Sequence, residues 1–132
     1  MTREKIYVNE YQIYIPLELE SIIKAKAKRE GMAIRLAAGK LFELIIAGER
    51  NKRRAYDGIR YMAKMEKKGK GRKLPYEKSK YATMFLLTFE DTDFVFKMCR
   101  DDMTLTNRTI KEIIISWFFN DQWKMEVLDE WL

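Results

Sequence analysis

Apolar and polar residues alternate along Tyr11, Gln12, Ile13, Tyr14 and Ile15, and then the period changes. A period of two marks a half-buried strand. Leu19, Ile22, Ile23 and Ala27 follow at helical spacing and predict a helix directly after it. Pro16 suits the entry, because its fixed φ and missing N–H cost little in a first turn. Glu18 and Glu20 in the first turn and Lys28 and Arg29 in the last complement the helix dipole, and Gly31 is the expected stop. A second helix is expected over residues 34–47, with Leu41, Phe42, Ile45 and Ile46 inward and Gly48 closing it.

The same pattern returns 72 positions later. YQIYIPLELESIIKAKAKREGMAIRLAAGKLFELII (residues 11–46) lines up with TMFLLTFEDTDFVFKMCRDDMTLTNRTIKEIIISWF (residues 83–118) with almost no identity but coincident apolar positions. Ile13 matches Phe85, Ile15 matches Leu87 and Leu17 matches Phe89. Ile22 and Ile23 match Phe94 and Val95, Ala27 matches Cys99, and the run ends with Ile45 and Ile46 on Trp117 and Phe118. The second unit is read as a strand over residues 81–87, a helix over residues 90–102 capped by Thr88, and a break MTLTN. A helix follows from near Asn107, capped by Thr104 or Thr106. About 35 residues cannot bury a core alone, so each unit needs a partner. Between the units, residues 50–68 fit a third, basic helix with Ala55, Ile59, Met62 and Met65 on one side, and GKGRKLP reads as a hinge. The tail NDQWKMEVLDEWL carries Trp123, Met125, Val127, Leu128, Trp131 and Leu132, enough apolar surface to pack on this fold or on another subunit. The expected organisation is a first unit at 1–48, a basic and partly helical linker at 49–79, and a second unit with its apolar extension at 80–132.

Composition narrows the chemistry. The 132 residues include one cysteine and no histidine, which removes intramolecular disulfides, soft-metal sites and histidine-based acid–base triads. Cys99 lies on an apolar stripe and reads as a small core residue. No compact acidic cluster suggests carboxylate chemistry, so neither an enzyme nor a cofactor is expected. No run of apolar residues is long enough for a membrane span, and the charged start MTREKIYVNE lacks the apolar stretch of a signal peptide, so a cytoplasmic protein is expected. Charge is unevenly split: residues 1–80 hold 21 basic and 10 acidic side chains, residues 81–132 hold 5 and 10. The densest stretch, residues 50–80, has 13 basic and 3 acidic residues, a balance that favours a polyanion, most simply nucleic acid. Arg53, Arg54, Lys70, Arg72, Lys73, Lys78 and Lys80 are candidate phosphate contacts of the salt-dependent, sequence-independent kind. Tyr56, Tyr61 and Tyr76 interleave with them and are expected to pack.

Strand, proline, helix, a KREG break and a second helix resemble the ribbon-helix-helix DNA-binding proteins, most closely in IYIPLELESIIKAKAKREG. The two copies resemble the tandem, AvtR-like regulators of archaeal filamentous viruses, which implies a viral protein working in the host cytoplasm. The resemblance implies a mostly α fold with a short β ribbon, in which two β-α-α units join as a pseudo-dimer or as an intertwined dimer. It also implies double-stranded DNA as partner, with the ribbon in the major groove, where each base pair shows a distinct donor and acceptor pattern. Outward positions on the first strand are Glu10, Gln12 and Tyr14. Gln12 suits adenine, and Tyr14 suits a base edge, a thymine methyl or a phosphate. The 72-residue shift puts Ala82, Met84 and Leu86 outward on the second strand, an apolar departure from the family that suits thymine methyls only. A one-residue slip would bury Met84 and Leu86 instead. The family also seats a DNA phosphate on the first turn of its second helix, which implies sites at Ile34 and Arg35 and at Thr106, Asn107 and Arg108. Ala33 and Leu105 stand where that family often has a small hydroxyl residue.

The function these features lead to is a sequence-specific transcription regulator, most simply a repressor. Homo-oligomers through the apolar C-terminal segment or through intertwined units accompany that reading, and no small-molecule effector is indicated. The alternatives are an architectural protein coating DNA with little preference, and an antitoxin-like protein clamping a partner with its C-terminal segment. RNA fits least, because a ribbon cannot enter its narrow major groove.

Overall fold

The computed structural model describes residues 7–67, 81–101, 106–120 and 122–132. Among them the element order is β1 (Tyr7–Ile13), α1 (Leu17–Glu30), α2 (Ile34–Ile45), α3 (Gly48–Lys67), β2 (Thr83–Thr88), α4 (Phe89–Asp101), α5 (Asn107–Asn120) and α6 (Trp123–Trp131). The molecule is mostly helical, with one short two-stranded antiparallel sheet. No helix among the described residues is long and apolar enough to cross a membrane.

The two strands pair within the chain. Gln12 faces Met84, Glu10 faces Leu86, Tyr11 faces Phe85 and Ile13 faces Thr83. Residue 84 lies 72 positions beyond residue 12, the shift that relates the two halves of the sequence, so the strands cross at matching positions. Ile13, Ile15, Phe85 and Leu87 are fully buried, whereas Gln12 is exposed and Met84 and Leu86 are half-buried. The expected register is therefore the one adopted: a slip would have sent all of these side chains to the opposite face. β1 begins earlier than its alternation suggested, at Tyr7, and stops at Ile13, short of Ile15. An irregularity between Tyr7 and Asn9 reconciles the added length with the end of β2. The Tyr7 hydroxyl donates to Glu43 Oε2 on α2 (2.8 Å), and Asn9 Nδ2 donates to Thr92 Oγ1 on α4 (3.0 Å), so both halves hold this end.

The helices follow from local rules. α1 buries Leu19, Ile23 and Ala27 and ends where Gly31 turns left-handed (φ 64°), with the Gly31 and Met32 N–H groups donating to the Lys28 and Ala27 carbonyls. In α4, Thr88 Oγ1 accepts from the Asp91 N–H (3.2 Å), the cap expected from the sequence. Thr106 does the same for α5, accepting from the Thr109 N–H (3.2 Å), while Thr104 lies outside the described residues. Leu17 and Phe89, matched by the repeat as apolar positions, are both outward, 41% and 65% exposed. Each opens its helix and points away from the layer that its neighbours two to six residues later bury.

α2 and α5 occupy matching places in the two halves but meet the sheet differently. At Gly39 a Cβ would lie 1.8 Å from the Leu86 carbonyl oxygen, so the backbone of α2 rests directly on β2. Phe42 meets Phe85 edge to face beside it, at 6.3 Å between ring centroids. Seventy-two residues on, α5 has Lys111, only 1% exposed, with its ammonium over the Tyr11 ring of β1. A lysine side chain fills the space that close approach removes on the other side.

The stretch expected as a linker is largely structural. Residues 48–67 form one helix, opened by Gly48 at φ 78°, with Ala55 and Ile59 buried. Gly58 sits against Trp117 of α5, where a Cβ would come within 2.5 Å of Cγ. The hinge at residues 69–75 lies outside the described residues. α6 is a separate helix after a turn at Gln122. It buries Trp123, Val127, Leu128 and Trp131 within the same chain, and Met125 and Leu132 remain outward, each 62% exposed. The tail side chains expected to serve a fold or a subunit interface are thus mostly used by the fold.

Candidate nucleic-acid interface

The sheet presents one buried face to the helices and one outer face. Side chains alternate across a strand, so burying Ile13, Ile15, Phe85 and Leu87 leaves Glu10, Gln12 and Tyr14 on one strand and Ala82, Met84 and Leu86 on the other pointing outward. Glu10 and Gln12 are exposed, and the other four are half-buried. Cross-strand pairing fixes their order along the ribbon: Glu10 with Leu86 toward one end and Gln12 with Met84 in the middle. The five side chains named from the sequence as base contacts are thereby brought onto one surface, polar on β1 and apolar on β2.

The first turn of α2 adjoins this face. Arg35 reaches Glu10, with Nη1 3.3 Å from Oε1 and both side chains about half exposed. Ala33 offers no side-chain cap, so the opening N–H groups of α2 have no hydroxyl acceptor, and Ile34 is 43% exposed. α5 starts differently. Thr106 takes the cap position, its Oγ1 accepting from the Thr109 backbone N–H (3.2 Å) and donating to the Thr109 hydroxyl (2.9 Å). Asn107 is half-buried; the side chain of Arg108 lies outside the described residues. The two implied phosphate seats are therefore unequal.

The basic candidates divide. Arg53 is exposed on an open groove of about 1080 Å³ between α3 and α4, which also holds Arg50, Lys52, Arg60 and Lys97. Glu49, Asp57, Glu90 and Asp93 alternate with them, so this groove is not uniformly positive. Arg54 turns the other way. Its Nη1 is 3.1 Å from Glu126 Oε2, its guanidinium lies over Trp123, and the side chain is 17% exposed. That arginine joins α3 to α6 instead of facing outward. Lys70, Arg72, Lys73, Lys78, Lys80 and Tyr76 lie outside the described residues. Tyr56 and Tyr61 pack as expected, Tyr56 beneath Arg60 and Tyr61 against Trp117 at 5.7 Å.

Behind the ribbon, Lys111, Tyr11 and Cys99 form a cluster the sequence reading passed over. Burial lowers the Lys111 ammonium from 10.5 to about 7, and Cys99 works against that shift. Burial raises both the Tyr11 hydroxyl and the Cys99 thiol, which keeps Cys99 a poor nucleophile. The signal available in the sequence was the repeat itself: it aligns a lysine with a glycine at a position bounded by core residues. Among the described residues, no group of three or more histidine, cysteine, aspartate or glutamate side chains is placed to hold a metal. Comparison with protein-family models, curated proteins and solved structures gave no match.

Proposed function

We propose that this chain is a sequence-specific, double-stranded DNA-binding transcription regulator, most simply a repressor, and that it works as a ribbon-helix-helix pseudo-dimer made from one chain. The observation that carries this is the ribbon register. Two strands from separate β-α-α units pair antiparallel about Gln12 and Met84, which are counterparts in the repeat. A pseudo-two-fold ribbon with an outward polar strand has the width and donor–acceptor content suited to a major groove. The basic excess supplies phosphate affinity, and an N-terminal turn of α2 lies beside the ribbon. Because the strands differ, the preferred site is asymmetric.

One observation favours a second reading, an architectural DNA-coating protein: half of the outer face is Ala82, Met84 and Leu86, which donate no hydrogen bonds. The two are separated by footprinting on double-stranded genomic fragments, including DNA upstream of the protein's own gene, at about 150 mM salt. The regulator reading expects a discrete footprint that weakens by about tenfold or more in Gln12→Ala and in Tyr14→Ala. Salt-sensitive binding without a preferred site supports coating. Absence of binding removes both and returns attention to partner clamping, for which Met125 on α6 and Leu132 just after it remain as outward large apolar groups.

A further inference from the structure

The two ends of the ribbon are not chemically equivalent. At one end Glu10 stands opposite Leu86, and its carboxylate is held by Arg35 from the first turn of α2. The repeat places Ala82 and Asn107 at the positions matching Glu10 and Arg35, so neither matched position carries a carboxylate or a guanidinium. Taking the DNA-binding reading above as its premise, we infer that Glu10 and Arg35 form a base-reading pair that fixes the orientation of bound DNA, with the Glu10 carboxylate accepting from a cytosine amine at the α2 end of the ribbon.

The chemistry selects cytosine. In the major groove cytosine offers its N4 amine as a donor, whereas adenine sets the N7 acceptor beside its amine and guanine presents acceptors only. A carboxylate is an acceptor, so adenine N7 and guanine N7 and O6 repel it. An unpaired carboxylate would also be repelled by the phosphates lining the groove. Arg35 cancels that charge and limits the rotamers of Glu10, so the pair enters the groove as a neutral, oriented acceptor. Leu86, directly across the ribbon, adds an apolar surface suited to a neighbouring thymine methyl. Arg35 is then a positioning residue for a base contact and not a phosphate anchor, although its place on the second helix suggested the latter.

The test is selection of bound sequences from a randomised duplex library with the wild-type chain, Glu10→Ala and Arg35→Ala, together with the salt dependence of binding to the selected site. Both side chains are about half exposed, so the core is not disturbed by either replacement. The expected wild-type result is a non-palindromic site with cytosine enriched at one flank. Both variants should lose that enrichment by about tenfold. Arg35→Ala should leave the slope of log affinity against log salt unchanged, whereas loss of a phosphate contact lowers it by about one. Cytosine enrichment that survives Glu10→Ala, equal enrichment at both flanks, or a reduced salt slope with intact base preference in Arg35→Ala each overturns the pair while leaving the regulator reading in place. If no sequence is enriched by the wild-type chain, both fall.

Discussion

Single residues set the character of the two halves. Lys111 is the clearest case, since a lysine is seldom fully buried without a carboxylate, and its surroundings on β1 and α4 are Tyr11 and Cys99. Burial holds its folded pKa near 7 against 10.5 for the free side chain. Between those values the unfolded chain binds a proton that the folded chain does not, so stability rises with pH at roughly 1.4 kcal/mol per unit. Below about pH 7 both states carry the proton and the slope from this group vanishes. Urea midpoints measured from pH 7 to 8, below the range where Tyr11 and Cys99 ionise in either state, should climb in the wild type. Lys111→Met should be more stable at pH 7 and should show a flatter profile. An identical slope in the variant would mean that Lys111 stays charged over the Tyr11 ring, a cation–π arrangement that opposes the cost of burial.

At the scale of elements, the contacts that matter are close approaches no hydropathy pattern encodes. Gly39 allows the α2 backbone to touch the Leu86 carbonyl, and Gly58 allows α3 to lie on Trp117. Gly39→Ala forces α2 away from β2 and disturbs the Phe42–Phe85 pair, at a cost of at least about 1–3 kcal/mol. The same shift moves Arg35 at the start of α2 relative to Glu10, so, on the proposed DNA-binding function, the thermal unfolding temperature and DNA affinity should fall together in this variant. A loss of stability with full affinity would separate the helix packing from the ribbon surface. The caps belong to the same scale. Thr88 and Thr106 were legible because a hydroxyl before an apolar run has a local role, whereas the extension of β1 back to Tyr7 was not. Its partner, the end of β2, lies about 80 residues away in sequence.

For the whole molecule, the decisive fact is that β1 and β2 pair within one chain. A ribbon completed internally needs no second chain, and α6 covers its apolar residues on the same molecule through Trp123, Val127, Leu128 and Trp131. Sedimentation should therefore give the mass of a single chain when free, and one chain per site on a short duplex. Two chains per minimal site would indicate that units pair between molecules when DNA is bound. If the chain binds DNA as proposed, binding should also be steeply dependent on salt: with about six phosphate contacts, affinity falls about a thousand-fold between roughly 50 and 200 mM.

Local chemistry determined much of this protein before any coordinates. The period-two run, the helix-spaced apolar positions, Pro16, Gly31 and the threonine caps act over one to four residues, so they fix strands and helices wherever the chain goes. The 72-residue repeat added that the two units bury equivalent faces, and Ile13, Ile15, Phe85 and Leu87 do so. Only the tertiary structure decided what depends on partners distant in sequence. It turned Leu17 and Phe89 outward, set the expected basic helix against Trp117 through Gly58, and directed Arg54 to Glu126 instead of toward solvent. It also joined Arg35 to Glu10 and set a glycine against a lysine at equivalent places. Periodicity specifies which side of an element is buried, but not which neighbour it meets or how closely. Those distances are set when helices and strands far apart in sequence compete for the same space.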